Sequence, residues 1–366
     1  MKNQLIYLVT GLILSINASS ICRSELSDNL LIINDGPYIF NVNHELKIKW
    51  IQNNVLHEDL IIPDNFSEIK KKFNLLFSYD DLKRTYPERP EYRQIYSRAD
   101  SIGVITDVHG EYNTYIRLLK AMGIIDKNLN WIFGKGHLVV LGDTFDRGKM
   151  VTEVLWHLFG LEKQAENAGG MVHVLLGNHE FMVLGKDLDY INEKYKKVEI
   201  ISNTKYFDLY SDSSVLGNWL RSRPVVITIN NIIFVHGGLS MEIVQRKLTI
   251  DQINEKFLNK IIGKDPELVS NDEELIFLNK GNGPIWYRGY FRDTGFSETR
   301  IDSILDFYNK DHIIIGHTPN EGIISLFNSK IFGTDTGIMY KEPGEALLYK
   351  NGIFYKVFTT GKRIRL

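Results

Sequence analysis

Apolar positions along the chain fall into short runs that stop at polar residues, separated by stretches with helical spacing. Residues 101–106 form a β-rich run, after which Ile116, Leu119 and Met122 recur on one helical face. A second run covers 137–141 and is followed by Val151, Val154, Leu155 and Leu158 on one face; a third covers 171–176. This strand–helix alternation predicts a sheet with helices packed on it. The second half reads as hairpins. Residues 225–229 and 232–235 flank Asn230-Asn231, residues 346–349 and 353–357 flank Asn351-Gly352, and 312–315 is a further buried-strand candidate. Residues 241–280 read as helical and surface-exposed, with Ile253, Phe257 and Ile261 as their apolar face. The segment 184–216 is polar and charged and reads as a cap or lid inserted after the third strand. Residues 25–95 precede the alternating pattern as short strands and turns, punctuated by Asp35-Gly36-Pro37 and Asn53-Asn54. In that leader, Lys70-Lys71-Lys72 and the stretch from Lys83 to Arg93 read as solvated surface.

The first residues follow another rule. Lys2 is a positive start, residues 5–16 are mostly apolar, and Ala18-Ser19-Ser20 offers a small-residue cleavage site. That is the pattern of a secretory signal peptide, and the run is short for a membrane span. The expected division is therefore a signal peptide at 1–20, a β-rich leader at 21–95 packed on the main domain, and that domain at 96–366. Export to a periplasm or the medium is expected. A lipid anchor on Cys22 is disfavoured, because bulky Ile21 stands where a small residue is wanted. Cys22 is the single cysteine, so no intramolecular disulfide can form. With 366 residues, 43% hydrophobic content and a net charge of −2, the chain can bury a large core and has no general pull toward nucleic acid.

The chemistry-bearing residues sit where the apolar runs stop. Asp107 and His109 follow the first run, Asp143 the second and Asn178-His179-Glu180 the third. His236 follows the hairpin strand and His317 the run at 312–315. Ligand sites of open α/β sheets lie beyond the carboxyl ends of strands, so these five ends predict one shared site. Carboxylate and imidazole donors suit divalent ions that polarise phosphoryl oxygen, and two such ions about 3.5–4 Å apart need a carboxylate touching both. Asp143 is the natural bridge. Taken singly, His137, His157, His173 and His312 read as core histidines, and His44 and His57 receive no role.

The motifs Asp107-Val108-His109-Gly110, Gly142-Asp143-x-x-Asp146-Arg147-Gly148, Gly177-Asn178-His179-Glu180 and His236-Gly237-Gly238 resemble those of the calcineurin-like metallophosphoesterases. Asp146-Arg147-Gly148 and Asn178-His179-Glu180 are similar to the phosphoprotein phosphatase branch. Trp219-Leu220-Arg221-Ser222-Arg223-Pro224, Trp286-Tyr287-Arg288-Gly289-Tyr290 and Gly316-His317-Thr318 resemble its bacterial Shewanella-like members. Many metallophosphoesterases carry a second His after the last motif; here Pro319 stands there, which argues against a nuclease or cyclic-nucleotide phosphodiesterase.

The resemblance implies an α/β fold, a four-layer α/β/β/α sandwich of two mixed sheets flanked by helices. It implies two metal ions (Mn, Fe or Zn), the first held by Asp107, His109 and Asp143, the second by Asp143, Asn178, His236 and His317. It further implies His179, paired with Asp146, as leaving-group acid, and Arg147 as phosphate ligand. Arg288 is a second phosphate ligand or an Arg stacked on Trp286 and Tyr287. Arg221 and Arg223 are further phosphate candidates or ion-pair residues. The expected reaction is hydrolysis of a phosphomonoester by direct attack of metal-bound hydroxide. No cysteine lies near the site to serve as a thiol nucleophile. Phosphorylated protein or peptide is the expected substrate. A small phosphorylated metabolite or dinucleoside polyphosphate is the alternative, and a non-catalytic metal-binding module a third reading. No nucleic-acid partner and no stable membrane insertion are expected.

Overall fold

The computed structural model describes residues 32–84, 94–264, 266–340 and 344–366. The predicted signal peptide, Cys22 and residues 85–93 lie outside the described residues. Among those described, no helix is long and apolar enough to cross a membrane.

The chain opens with an antiparallel sheet of β1 (Asp35–Val42), β2 (Glu45–Gln52) and β3 (Val55–Ile61), followed by helix α1 (Phe66–Phe73). Its turns, Asn43-His44 and Asn53-Asn54, have positive φ at both central residues, the twist that two-residue hairpins require. Asn tolerates that conformation through its short polar side chain. Lys72 does not simply point to water: its ammonium lies 3.9 Å from the centre of the Trp50 ring.

The remaining strands are β4 (Ile95–Tyr96), β5 (Ser101–Ile105), β6 (His137–Val140), β7 (Met171–Val174), β8 (Val226–Ile229), β9 (Ile232–Val235), β10 (His312–Ile315), β11 (Ile324–Leu326), β12 (Ile331–Gly333), β13 (Glu345–Lys350), β14 (Ile353–Phe358) and β15 (Arg363–Arg365). They form two six-stranded mixed sheets, ordered β15-β14-β13-β5-β6-β7 and β11-β12-β10-β9-β8-β4. Alternate residues explain why they stack. Ile102, Val104, Val139 and Leu141 of one sheet meet Ile227, Phe234, Ile314 and Phe332 of the other in a single buried cluster. Their neighbours Ile105, Val140, Ile233, Val235 and Ile315 face the opposite way and join the core beneath the helices. Strands buried on both faces read as unbroken apolar runs, which is how they look in the sequence.

Helices cover the outer faces. Helix α2 (Tyr112–Met122) packs on β13 and β14, and α3 (Val151–Ala168) packs on β7. Ile116, Leu119 and Met122 are buried as their spacing predicts. On the other sheet, helix Ile250–Lys256 packs against β8, and Ile253, Phe257 and Ile261 are all buried. Two mixed sheets flanked by helices are the expected sandwich. The leader sheet lies on α3: Trp156 Nε1 donates to the Pro37 carbonyl at 2.7 Å, and Phe77 packs on Trp156 and Phe159.

The segment 184–216 departs from the cap expectation. After α4 (Asn178–Leu184) the chain forms α5 (Glu193–Ser202), a tight turn at Tyr206–Tyr210 and the start of α6 (Val215–Arg221). Tyr195, Val198, Tyr206, Leu209 and Tyr210 are buried, so this is packed interior rather than a lid. Tyrosines bring apolar bodies with polar tips, which conceal an inward face in a polar-looking sequence.

Candidate active site

The carboxyl ends of β5, β6, β7, β9 and β10 deliver Asp107, Asp143, Asn178, His236 and His317 into one place. Gly142 (φ 92°) and Gly177 let the ends of β6 and β7 approach that closely. A Cβ on Gly142 would stand 2.3 Å from Gly177 N, and one on Gly177 would stand 2.2 Å from Asp143 Oδ1. Asp107, His109, Asp143, Asp146, Arg147 and His317 all have φ between 45° and 69°. For non-glycine residues that conformation costs about 1–3 kcal/mol each, and it persists where surroundings impose it, commonly at functional sites.

One carboxylate holds the turn at Asp143. Buried Glu180 accepts from Asp143 N (2.8 Å) and Gly177 N (2.8 Å) with Oε2, and from Thr144 N and Oγ1 (both 2.6 Å) and Phe145 N (3.3 Å) with Oε1. Sequence reasoning gave Glu180 no role beyond its motif.

Asp143 lies at the centre. Its Oδ2 stands 3.8 Å from His109 Nε2 and 3.3 Å from His236 Nε2. His236 Nε2 is in turn 3.0 Å from Asn178 Oδ1 and 3.2 Å from His317 Nδ1. Two buried donor groups result, His109–Asp143–His179 and Asp143–His236–His317, sharing Asp143. Asp107 stands outside both groups but lines the same cavity, where its Oδ2 accepts from Thr106 Oγ1 at 2.5 Å and from His317 N at 3.0 Å.

This arrangement fits metal ions. His109 and His236 each donate Nδ1–H to a backbone carbonyl, Phe145 and Leu141 respectively, both at 2.7 Å. That fixes each ring's orientation, with Nε2 turned toward Asp143. Burial pushes His109 down to about 3 and His317 down to about 2, so both are neutral at ordinary pH, as a metal donor must be. Burial also raises Asp107, and the nearby Asp335 and Asp143 carboxylates raise it further. Burial likewise lifts Asp335 to about 6. Burial opposes a charge on His236 too, but Asp143 overcomes it and lifts the imidazole to about 9. Crowded buried carboxylates that recruit a proton onto a histidine are a site with an unmet demand for positive charge. Nitrogen and oxygen donors suit a divalent ion of the first transition row.

Beside this centre, His179 Nδ1 lies 2.5 Å from Asp146 Oδ2 and its Nε2 lies 3.3 Å from Arg147 Nη2. Burial disfavours charge on His179, yet Asp143 and Asp146 outweigh it and the net shift is upward. Arg147 Nη1 also donates to Tyr340 OH at 2.9 Å. Arg288 enters the cavity and donates to the His317 carbonyl (2.5 Å) and to Thr318 Oγ1 (3.3 Å). Arg221 does not reach the site. Its guanidinium is engaged by the carbonyls of Tyr210 (2.5 Å) and Gly217 (3.0 Å) and by Asp212 (2.7 Å), which corrects its reading as a phosphate ligand. Arg223 pairs with Glu162 at 3.1 Å in the interior, not on the surface.

A cavity of about 340 Å³ joins these groups, and Tyr190, Trp286, Met339 and Tyr340 form part of its wall. Asp335 lines it too and was missed in the sequence. It follows β12 as Asp107 follows β5, but that strand is too short to stand out as a run. His137, His157, His173 and His312 are structural: His157 bonds Tyr115 OH at 2.8 Å, His173 bonds His137 at 3.0 Å, and His312 bonds the Ser329 carbonyl at 2.7 Å.

The family model for calcineurin-like phosphoesterases matches residues 101–321, more than half of the chain. The chain belongs to the calcineurin-like phosphoesterase family. Shewanella-like protein phosphatase 1 of Plasmodium berghei is 31% identical over 244 residues, 64% of this chain and 66% of that protein. Shewanella-like protein phosphatase 2 of Arabidopsis thaliana is 24% identical over 310 residues, 71% of this chain and 75% of that one. The crystal structure of a cold-active protein-tyrosine phosphatase from a psychrophilic Shewanella is 36% identical, with a TM-score of 0.81 over 91% of this chain and 99% of that chain. As a calcineurin-like phosphoesterase the protein is a hydrolase of phosphoric esters, and its His/Asp groups imply divalent metals.

Proposed function

We propose that this phosphoesterase is a metal-dependent protein phosphatase. Its substrates are phosphomonoesters on proteins or peptides, either phosphotyrosine or phosphoserine and phosphothreonine. The observation that carries the reading is the contact of Arg147 with His179 directly beside the donor groups around Asp143. Asp107, His109 and Asp143 would hold one ion, and Asp143, Asn178, His236 and His317 would hold the other; manganese, iron and zinc all suit these donors. When bound, the metals polarise the phosphoryl oxygens and acidify water enough for it to serve as a nucleophile at neutral pH.

The chain supplies the rest. The Arg147 fork takes two phosphoryl oxygens, a geometry that a planar guanidinium matches. Arg288 adds positive charge within the same cavity. Asp146 holds the His179 ring by its Nδ1–H, so that Nε2, which accepts from Arg147 Nη2 at 3.3 Å here, faces the cavity; with phosphate drawing Arg147 away, a proton on Nε2 would reach the departing oxygen. Tyr190, Trp286 and Tyr340 offer flat faces to an aryl phosphate or a peptide. The names of the relatives support a protein substrate.

Metal analysis of the purified protein, coupled to catalytic efficiencies on phosphotyrosine peptides, phosphoserine peptides and dinucleoside polyphosphates, tests the reading. Bound metal is expected, with at least one peptide class favoured over nucleotides by about tenfold or more in kcat/KM. Nucleotides turned over more efficiently than both peptide classes would overturn it. We further propose export, supported by Lys2, the apolar residues 5–16 and Ala18-Ser19-Ser20. N-terminal sequencing of the mature protein should start near residue 21, and an intact Met1 would refute cleavage there; a protein confined to the cytoplasmic fraction would refute export.

A further inference from the structure

Beyond the bond from Gly148 N to the Asp146 carbonyl at 2.7 Å, the loop that carries Arg147 is held from outside. Asp146 and Arg147 are consecutive non-glycine residues with φ of 69° and 62°, a conformation that needs outside restraint. On one side Gly148 N and Met150 N donate to the carbonyls of His109 (2.9 Å) and Gly110 (3.2 Å). On the other, a short stretch at the entry to α5 takes the remaining groups. Arg147 N donates to the Tyr190 carbonyl at 2.9 Å, and Asn192 Nδ2 donates to the Arg147 carbonyl at 2.7 Å. Lys194 Nζ and Tyr195 OH both donate to the Lys149 carbonyl, at 2.6 and 3.1 Å, and Val151 N donates to Tyr195 OH at 2.8 Å.

Within this clamp Lys194 is unusual, because it is a cation with only 8% of its surface exposed. A buried ammonium requires a counterion and carbonyl partners to stay charged and fixed. The counterion comes from the leader: Asp35 Oδ1, in β1, stands 2.5 Å from Lys194 Nζ, while Glu153 is 3.9 Å away. Asp35 is itself buried and also accepts from Tyr38 OH. Neither Asp35 nor Lys194 lines the cavity.

We propose that Asp35 and Lys194 are positioning residues for Arg147. Through this ion pair the leader sheet fixes the loop backbone, and so the aim of the phosphate-binding guanidinium, without touching substrate. Leader and α5 then share one task that neither sequence segment discloses by itself. The proposal rests on reading Arg147 as a phosphate ligand.

The test uses the full chain and inorganic phosphate as probe. Inhibition by phosphate, KM and kcat on a phosphopeptide, and bound metal are measured for Lys194→Met, Asp35→Asn, Arg147→Ala and Lys194→Met combined with Arg147→Ala. Lys194→Met and Asp35→Asn should keep their metal while phosphate inhibition and KM weaken by about ten- to a hundredfold, the scale of a misaimed group. Adding Lys194→Met to Arg147→Ala should change nothing more, because the group being aimed is gone. A purely structural role would instead multiply the two losses, and that result overturns the proposal. Should Lys194→Met fail to fold, Lys194→Met with Asp35→Asn removes both charges from the interior and takes its place in the cycle. If Arg147→Ala weakens phosphate and Lys194→Met does not, only the clamp is refuted. If Arg147→Ala leaves phosphate inhibition unchanged, the reading of Arg147 falls and the clamp with it.

Discussion

Asp143 and His179 differ in what they contribute although their side chains lie 3.9 Å apart. Asp143 is shared by both donor groups, so Asp143→Asn should lower bound metal and reduce turnover by about a thousandfold or more on every substrate. Elemental analysis alongside kinetics checks it, and a fully metallated, active variant would show that neither donor group depends on Asp143. His179→Asn should retain the metals and lose about a hundred- to ten-thousandfold in kcat, the usual reach of a positioned acid. The upward shift of His179 sets the sign with pH: the acid must be protonated, so kcat is full below that raised value and falls as pH rises through it. His179→Asn should lose this falling limb, which a pH–rate profile would show. These residues were legible in the sequence because phosphate chemistry demands particular side-chain types, each next to a tight turn. Asp335 was not, since β12 before it offers only three residues, Ile331–Gly333.

Elements act as holders of these side chains. The N-terminal turn of α4 places Glu180 against five donors from the ends of β6 and β7. Glu180→Ala would leave Asp143 N, Thr144 N and Gly177 N buried without partners. At about 1–3 kcal/mol for each orphaned donor, a loss of roughly 3 kcal/mol or more is expected in urea unfolding. In α3, burial lowers His157 to about 4, with its Nδ1 accepting from Tyr115 OH. A depressed imidazole stabilises the fold fully above its unfolded value near 6.5, and that contribution is lost as pH falls toward 4. The whole effect is on the order of 3 kcal/mol, so unfolding temperature should drop with acidification over that window and drop less in His157→Gln. The helical spacing of α2 and α3 gave their inward faces correctly. The inward face of α5 escaped detection because its burial rests on Tyr195 and Val198, set among lysines and glutamates.

Across the whole molecule, metal and fold are linked. Ions bound only by the folded chain stabilise it by RT ln(1 + [L]/Kd), about 2.7 kcal/mol at a hundredfold excess over Kd. Chelation should therefore lower the unfolding temperature by about 5 °C or more while secondary structure at 20 °C is kept; an unchanged transition would show that no tight site forms. The large core explains why the fold should survive without metal, since two sheets and their helices are buried independently of the ions. By itself the sequence determined the strand candidates, the hairpin turns and the residues at strand ends, because periodicity, turn conformation and ligand type are local properties. Only the tertiary structure decided that β13 pairs with β5 and β10 with β9, and that His317 N meets Asp107 Oδ2 across 210 residues. It also removed Arg221 from the cavity and tied the leader to the Arg147 loop through Asp35 and Lys194. Those outcomes depend on which apolar faces bury one another and which buried charges must find partners, and both are settled between segments far apart in the chain.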